Sequence, residues 1–337
     1  MKICAILAAL LLSPFLKPVA AQAEPTVYPL SIGNCGRTLV FEEPPEKVVS
    51  LGQAVHEILF ALDLGDRIAG TAVWLGPLPE ALQAANAGIP RLADEAPSFE
   101  SVVSVKPSLV LTEFEWHVGP QGAVGTPEQF ADLGIQTWQA PMDCTGKDNS
   151  SGGNGQRVEP FTMDQVYHAI TDLAAIFDVQ DRGEALIAGL KAREAAAIAH
   201  AAEAKDVPVL FWFTSPEIDM DASVAGSNGA PAYMLSSLNA RNVIRSDDEW
   251  PWVSWESIAR SGPAVIVLAG MDRRFNQGDD PASKIAFLTS DAVASQIPAV
   301  QAGHYFVMRA EAMNPSMRTI DGIEELAEKI VAFGLIQ

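Results

Sequence analysis

Positive charge is scarce in this sequence. Its 337 residues include 22 Lys and Arg against 42 Asp and Glu, which gives a formal net charge of −20 at pH 7. No run of basic residues offsets this excess locally, and such a surface repels nucleic-acid phosphates and anionic lipid headgroups. We therefore expect no nucleic-acid partner and no docking on an anionic membrane surface.

Charged residues of either sign are also few, since they make up 19% of the chain against 48% hydrophobic residues. This composition supports a large buried core and excludes a disordered polyanion. Domains commonly span about 100 to 200 residues, so the length predicts two domains.

The short motifs of common enzymes are missing. The chain has no G-x-S-x-G nucleophile elbow, no H-E-x-x-H zinc pair and no glycine-rich phosphate loop. We therefore predict a protein that is not an enzyme and that needs no cofactor. An exported hydrolase is the alternative from a different functional class.

A long hydrophobic run is missing as well, because the apolar stretch Ile3–Leu12 is too short to span a bilayer. The small-residue pattern Ala21–Ala23 follows it, which predicts a signal peptide over residues 1–23. Cys4 and Cys35 both lie away from the predicted cleavage site. We therefore expect a periplasmic protein that is neither lipid-anchored nor inserted in a membrane.

Cysteine is rare, and removal of the signal peptide leaves Cys35 and Cys144. An even count in an oxidising compartment favours a disulfide over a metal site or a catalytic thiol. The bond would close a loop with a sequence separation of 109. For such a loop the chain-entropy model gives about 4 to 5 kcal/mol of stabilisation, reduced by any strain. Two free thiols are the alternative.

Two halves of the mature chain show the same alternation of strands and helices. The clearest correspondence is between residues 101–112 and 256–269, each of which reads as a helix, a Pro-marked turn and an apolar strand. A further helix is predicted over Val253–Ala259. Strands that alternate with helices predict an α/β fold with a largely parallel sheet in each half.

Two contrasting segments lie between these halves. Gly146–Gln156 is rich in Gly, Ser and Asn, which predicts a mobile surface loop. Thr162–Phe177 carries apolar residues at helical spacing, and Thr162 with Gln165 is placed as a capping box. We therefore predict one helix that leaves the first half and enters the second.

Several motifs follow one another in a characteristic order along the mature chain. They are Pro45–Leu51, His56–Leu62, Leu64–Gly70, Val105–Leu111, Leu133–Ile135, Trp252–Glu256, and Asn314–Pro315 with Arg318 and Asp321–Gly322. Their order resembles that of the substrate-binding proteins of bacterial iron-siderophore and cobalamin ABC importers. The resemblance implies an α/β fold of two Rossmann-like lobes with mainly parallel sheets, joined by one long rigid α-helix. The corresponding ranges here are residues 28–160, 161–179 and 180–337.

This resemblance also implies a function. A monomeric periplasmic protein would capture a ferric siderophore or a similar metal chelate between its lobes and deliver it to an ABC permease. Cobalamin or a related tetrapyrrole is one alternative ligand, and a directly coordinated metal ion is another. In α/β proteins of this architecture, ligands lie outside the carboxyl ends of the strands.

Candidate ligand residues come mainly from the ends of predicted strands and from the loop before Val253. They are Gln53, Trp74, Arg91, Trp116, His117, Trp212, Trp250, Trp252, Arg273, Arg274 and Arg318. Tryptophan is costly to expose, so several in loops indicate flat platforms for a large ligand, unless each packs within its own lobe. Arg273 and Arg274 directly follow a predicted strand and are placed to meet a carboxylate or a catecholate.

An alternating set of possible metal ligands follows the strand that ends at Thr112. Glu113, Glu115 and His117 would share one side of an extended segment and could coordinate zinc or nickel. The alternative is that these side chains are solvent-exposed acidic residues at the edge of the cleft and bind no metal.

The resemblance further implies that the permease is docked by one acidic residue on each lobe. Glu256, within Ser254–Glu256, matches the second-lobe member of that pair. Glu80 is the first-lobe candidate, with Asp94 and Glu95 behind it.

Overall fold

The computed structural model describes residues 23–336, so all but the last residue of the predicted signal peptide lies outside the described residues. In chain order the strands are β1 (Leu30–Asn34), β2 (Arg37–Phe41), β3 (Val48–Leu51), β4 (Ile68–Ala72), β5 (Arg91–Ala93), β6 (Leu109–Thr112), β7 (Gln136–Gln139), β8 (Lys147–Asp148), β9 (Gln156–Arg157), β10 (Pro208–Thr214), β11 (Ala222–Val224), β12 (Arg241–Asn242), β13 (Trp252–Val253), β14 (Val265–Gly270) and β15 (Tyr305–Arg309). The helices are α1 (Gln53–Ala61), α2 (Glu80–Asn86), α3 (Phe99–Ser104), α4 (Pro127–Ala131), α5 (Met163–Ile176), α6 (Gln180–His200), α7 (Ala230–Ser237), α8 (Trp255–Ser261), α9 (Pro281–Ser290), α10 (Pro298–Ala302) and α11 (Thr319–Ala332).

The first lobe is built on a parallel sheet with the strand order β5-β4-β3-β6-β7. Every residue of β3 and β6 is buried, which explains why both strands are almost continuous apolar runs in the sequence. From β3 the chain adds β4 and β5 on one side and then β6 and β7 on the other. The order therefore reverses at β3, and such a switch point opens a crevice at the carboxyl ends of the strands.

The second lobe has a mixed sheet around β10. β12, β14 and β15 run parallel to β10, whereas β11 is antiparallel to it and pairs in turn with β13. β14 is buried throughout. The predicted α/β fold with mainly parallel sheets in two lobes is confirmed.

The chain passes between the lobes through α5 and α6. α5 packs on the first lobe, where the indole of Trp138 donates to Asp172 at 3.3 Å. Asp178 takes a positive φ of 57° between the two helices. In the first turn of α6, Arg182 donates to the carbonyl of Leu62 in the first lobe at 3.0 Å.

Later turns of α6 contact the second lobe. Arg193 pairs with Asp321 at 2.6 Å and with Glu324 at 2.5 Å, both on α11. One hydrophobic cluster is continuous from β3 and α1 through α5 and α6 to β10 and α11. A shared core resists wide opening of the lobes. The lobe boundaries at 28–160 and 180–337 stay a prediction.

The segment before β1 is fastened to the corner between α5 and α6. Thr26 donates from its backbone N–H to the Asp178 carboxylate at 2.6 Å and from its hydroxyl to the carbonyl of Ala175 at 2.7 Å. The Tyr28 hydroxyl donates to the carbonyl of Ile176 at 2.8 Å. The two hydroxyl bonds reach carbonyls in the last turn of α5, where a helix leaves its carbonyls without partners of its own.

Cys35 lies in the turn between β1 and β2, beside Cys144, which follows β7; their Cα atoms are 5.7 Å apart. The neighbouring Asn34 also exchanges two hydrogen bonds with the backbone of Gln139, at 2.8 and 2.9 Å. Both contacts attach the β1–β2 hairpin to the first lobe. Within residues 23–336, no helix combines the length and the apolarity needed to cross a membrane.

Two local predictions at helix starts are wrong. Thr162 precedes α5, but its side chain makes no capping bond, since the backbone N–H of Gln165 donates to the Thr162 carbonyl at 3.2 Å instead. The side chain of Gln165 accepts from the buried guanidinium of Arg157 at 3.5 Å. The helix expected from Val253 begins two residues later, after Ser254 caps it. Val253 itself is in β13, because that strand completes the antiparallel edge of the second sheet.

The segment Gly146–Gln156 is not simply a loop, because its ends pair as the antiparallel strands β8 and β9. Lys147 forms an ion pair with the buried Asp143. The amide of Asn228 in the second lobe donates to the carbonyl of Arg157 at 3.1 Å. The hairpin is therefore attached to both lobes.

Candidate functional site: the cleft between the lobes

A cavity of about 650 Å³ lies between the lobes. It lies where the carboxyl ends of the central strands of the two sheets meet. Residues at or just beyond these strand ends line it: Gln53 and Ala54 after β3, Val73 after β4, Glu113 after β6, Thr214 at the end of β10, Arg273 after β14 and Glu311 after β15. The strand order thus explains where the cavity forms.

Aromatic side chains from both lobes line the cavity. The first lobe contributes Phe114 and Trp116, whose rings are within 20° of parallel with centroids 6.3 Å apart. The second lobe contributes Trp252 and the pair Phe213 and Trp250, whose centroids are 4.6 Å apart. Such surfaces favour a large ligand with apolar or flat faces.

A buried ion pair joins the lobes at the floor of the cleft. Arg318 of the second lobe donates from Nε and Nη2 to the two carboxylate oxygens of Glu57 on α1, at 2.8 and 2.6 Å. Gln53 donates to the same carboxylate at 3.2 Å. Burial raises the pKa of Glu57, and the contact with Arg318 opposes that rise.

Glu113 is the second buried carboxyl group at the floor. Its Oε2 accepts from the backbone N–H of Ala54 at 2.9 Å, which caps the N-terminus of α1. Gly52 is required beside it, because its φ is 123° and a Cβ there would lie 2.2 Å from the Cβ of Glu113. Burial raises the pKa of Glu113 to about 8, so this carboxyl is largely neutral at pH 7.

A longer ion pair joins the lobes nearer the surface. Nη1 of Arg273 lies 3.6 Å from the carboxylate of Glu95, and both side chains are partly exposed. The backbone N–H of Asp272 donates to the carbonyl of Leu75 at 3.1 Å beside it. The lobes are therefore joined both at the floor and at this edge.

The structure brings six of the predicted ligand residues to the cleft. They are Gln53, Trp116, Trp250, Trp252, Arg273 and Arg318. The other five lie elsewhere, and the reason is the same for most of them: each packs within its own lobe. Ligand contact by the six stays a prediction.

Two tryptophans predicted to face the ligand are in lobe cores. Trp212 is fully buried, packs edge-on against Trp255 at 4.6 Å and donates from its indole to Ser215 at 3.1 Å. Trp74 is buried beneath the guanidinium of Arg91, which lies 5.1 Å above its ring. Both indoles have hydrogen-bond partners inside their lobes, which disfavours ligand contact by Trp74 and Trp212; that contact stays an untested prediction.

The two remaining arginines also lie outside the cleft lining. Arg91 forms an ion pair with Asp94 at 2.9 Å. Arg274 donates to the carbonyl of Arg273 at 3.1 Å and lies 3.8 Å from Asp280. Of the two arginines that follow β14, Arg273 therefore lines the cleft and Arg274 does not.

The predicted metal set Glu113, Glu115 and His117 does not come together. The chain turns here, since the N–H of His117 donates to the carbonyl of Phe114 at 3.1 Å. Glu115 accepts from Asn149 at 2.7 Å, away from Glu113. Among the described residues, no three His, Cys, Asp or Glu side chains could hold a metal ion.

His117 is buried within the first lobe. Its ring centroid is 3.6 Å from that of Trp116, and its two ring nitrogens have no hydrogen-bond partner. Burial lowers the pKa of His117 to about 4, so the ring is neutral at pH 7. Trp116 lines the cleft and His117 does not, so ligand contact by His117 is disfavoured and stays an untested prediction.

The predicted docking residues are exposed on both lobes. Glu80 is the first residue of α2, and Glu256 lies in the first turn of α8. Of the reserve candidates, Asp94 is paired with Arg91 and Glu95 with Arg273. Glu80 is therefore the freer choice on the first lobe.

Sequence reasoning missed several residues of the cleft. They are Glu57, Phe114, Phe213 and Glu311. Two carried a usable signal: Glu57 lies four residues after Gln53 and so on the same face of α1, and Glu311 directly follows a strand. The two phenylalanines gave no signal that separates them from core residues.

A family model described as "Periplasmic binding protein" matches residues 48–312. The chain belongs to this family. As a periplasmic binding protein it is a substrate-binding component of an ABC importer, which implies a permease partner. It is 25% identical over 321 residues to an uncharacterized ABC transporter substrate-binding lipoprotein of Bacillus subtilis, with 93% of this chain and 89% of that protein covered.

Solved structures show the same fold. A periplasmic binding protein from Veillonella parvula superposes with a TM-score of 0.73 at 23% identity, covering 89% of this chain and 97% of that one. An ABC-type Fe3+-hydroxamate transport system protein from Saccharomonospora viridis superposes with a TM-score of 0.72 at 25% identity, covering 90% and 99%. The binding protein thus shares its two-lobed architecture with both.

The Bacillus subtilis relative corrects one prediction. It is named a lipoprotein, which contradicts the expectation that the binding protein carries no lipid anchor. That expectation rested only on the positions of Cys4 and Cys35 relative to the predicted cleavage site. It was wrong, and the family supports only a location outside the cytoplasm.

Proposed function

We propose that this binding protein captures a ferric siderophore, or a metal chelate of similar size, in the cleft between its lobes. The observation that carries the proposal is the cavity of about 650 Å³ with aromatic side chains from both lobes. Cavities of about 300 to 1,000 Å³ suit ligands of this class. A bare cation would need converging oxygen, nitrogen or sulfur ligands instead.

Two further observations support a chelate. No three potential metal ligands converge among the described residues, which favours a metal that arrives already coordinated. One of the similar structures is named as part of an Fe3+-hydroxamate transport system. Cobalamin is the alternative ligand, and the experiment below separates the two.

Native mass spectrometry of the protein purified from its own host would give the mass of any bound ligand. Titration of the ligand-free protein with a ferric trihydroxamate, cyanocobalamin and zinc chloride, followed by tryptophan fluorescence, would rank the candidates. We expect the trihydroxamate to quench fluorescence with submicromolar affinity. Preferred binding of cyanocobalamin would shift the assignment to corrinoids, and binding of zinc alone would contradict a chelate.

A pair of variants tests the location. Trp252 lines the cleft and is 54% exposed, whereas Leu133 is equally exposed at 54% but lies outside the cleft lining. Trp252→Ala should weaken chelate binding at least tenfold, as truncation of an aromatic contact residue commonly does. Leu133→Ala should not. Equal affinity of the two variants would argue against the cleft as the binding site.

We propose that Glu80 and Glu256 guide docking on the permease. Both are exposed acidic residues, one on each lobe. Exposed ion pairs contribute only about 0.2 to 1 kcal/mol each, so they would orient the complex more than hold it. The double variant Glu80→Lys with Glu256→Lys should keep ligand affinity but slow uptake in reconstituted transporters, most at low salt. Unchanged uptake would remove the docking assignment.

The Cys35–Cys144 bond is proposed to form after export through the predicted signal peptide. The two residues adjoin in the structure. Peptide mapping of the exported protein without reductant should recover them as one cross-linked peptide. Alkylation of both thiols in that material would contradict the bond.

A further inference from the structure

The arginines of the cleft are all engaged by glutamates. Within residues 23–336, the cleft lining contains six acidic residues but only two basic ones, Arg273 and Arg318. Arg318 is paired with Glu57 at 2.6 Å, and Arg273 with Glu95 at 3.6 Å. Neither guanidinium is left without a counter-ion for an anionic ligand.

The arginines just behind the cleft lining are also paired with glutamates. Arg157 is paired with Glu249 at 3.3 Å, and Arg309 with Glu311 at 3.0 Å. Both glutamates line the cleft, whereas their arginines do not. In these two pairs the carboxylate, and not the guanidinium group, is therefore presented to the cavity.

Glu311 has one carboxylate oxygen without a partner. Its Oε1 accepts from Arg309, but Oε2 is buried and accepts no hydrogen bond. The whole residue is 5% exposed, and it lines the cleft. A buried carboxylate oxygen left without a hydrogen-bond donor is destabilising, because it has lost its water and gained no partner. A donor supplied from within the cleft would remove that destabilising effect.

Two buried donors in the cleft also lack partners. They are Nε1 of Trp116 and Nε of Arg273. The cleft thus offers one unmatched acceptor on Glu311 and two unmatched donors. Amide groups carry an N–H donor and a carbonyl acceptor, so a ligand with several amides can match all three.

On the basis of the proposed function, we infer that the ligand is an uncharged or cationic, amide-bearing metal chelate that donates a hydrogen bond to Oε2 of Glu311. An anionic chelate, such as a ferric tricatecholate, would meet the carboxylates without a free guanidinium to offset its charge. The subsite on Glu311 therefore selects for charge as well as for hydrogen bonding.

The wild-type protein tests the charge preference directly. Tryptophan fluorescence titrations would compare ferrichrome, cyanocobalamin and ferrioxamine B with ferric enterobactin. The first two are uncharged and bear amides, the third is cationic, and the last is a tricatecholate with three negative charges. We expect at least one of the first three to bind at least 100-fold more tightly than ferric enterobactin.

Equal or tighter binding of ferric enterobactin would overturn the inference while the proposed function survived. Binding of none of the four chelates would overturn the proposed function and the inference with it. The two failures are thereby distinguishable.

Two variants test the role of Glu311. Asp272 lies 3.5 Å from the same Arg309, but it is exposed and outside the cleft lining. Glu311→Gln should weaken binding of the preferred chelate about tenfold or more, the loss expected for a hydrogen bond to a charged group. Asp272→Asn removes a negative charge from the same arginine and should change affinity less than twofold. Equal effects of the two substitutions would overturn the assignment of Glu311.

Discussion

Two of the ion pairs that join the lobes differ in their surroundings. Glu57 and Arg318 are 6% and 10% exposed and bond through two short contacts, whereas Glu95 and Arg273 are 38% and 27% exposed and lie 3.6 Å apart. A buried charge that loses its partner is costly, while water and salt screen an exposed one. The Glu57–Arg318 pair should therefore hold the two lobes in one relative position. The Glu95–Arg273 pair should break more easily.

The largest effect is expected for Arg318→Ala. The substitution leaves Glu57 buried without its counter-charge, which should reduce the free energy of unfolding by about 3 to 5 kcal/mol. Urea denaturation followed by circular dichroism would measure it. A loss below about 1 kcal/mol would show that the floor pair is no more important than a surface pair.

A smaller loss is expected when both partners of the floor pair are replaced. Glu57→Leu with Arg318→Met removes both charges and keeps apolar volume, so the double variant should be more stable than Arg318→Ala alone by about 1 kcal/mol or more. The same denaturation experiment compares them. If the double variant is the less stable of the two, the cost does not come from an unpaired buried charge.

The pH dependence of stability should report on the other floor carboxyl, Glu113. Its pKa is raised to about 8 in the folded state, so between about pH 4.5 and 8 the unfolded chain binds fewer protons than the folded one. Stability should therefore fall as pH rises through this window, by up to about 1.4 kcal/mol per pH unit.

Glu113→Gln provides the control for that profile, because the amide cannot titrate. The difference in the free energy of unfolding between wild type and variant should change with pH between 4.5 and 8 and level off above 8. Parallel profiles of the two proteins would contradict the raised pKa of Glu113.

The smallest effect is expected at the exposed edge. Arg273→Ala should reduce the free energy of unfolding by no more than about 1 kcal/mol, and less at high salt, because its pair with Glu95 is partly exposed. Denaturation at low and high salt would measure it. A loss as large as that of Arg318→Ala would remove the contrast between the two pairs.

Much of the fold could be predicted because burial leaves a direct trace in the sequence. Val48–Leu51 and Val265–Gly270 are buried on both faces and are almost entirely apolar, so each was recognisable as a strand. The short edge strands were not, because β12 and β13 contain two residues each and pair only through tertiary contacts. Thr162 and Gln165 fit the capping-box pattern, and only the folded structure shows that the Gln165 side chain accepts from Arg157 instead.

The site was only partly predictable. The strand-end rule found Gln53 and Arg273, which line the cleft. It could not separate Trp250 from Trp212, since both are aromatic residues near strands and only packing against Trp255 places Trp212 in the core. The pairing of Arg318 with Glu57 could not be predicted from the sequence either, because the two residues are 261 positions apart in the chain.

The attachment of Thr26 and Tyr28 to the corner between α5 and α6 has a mechanical consequence. The chain upstream of Thr26 is connected at this corner, and no residue between 23 and 47 lines the cleft. A force applied through the N-terminus would therefore load the helix pair that both lobes share, and not either wall of the cavity. A surface tether or a label joined at that end would leave the two walls free to hold their ligand.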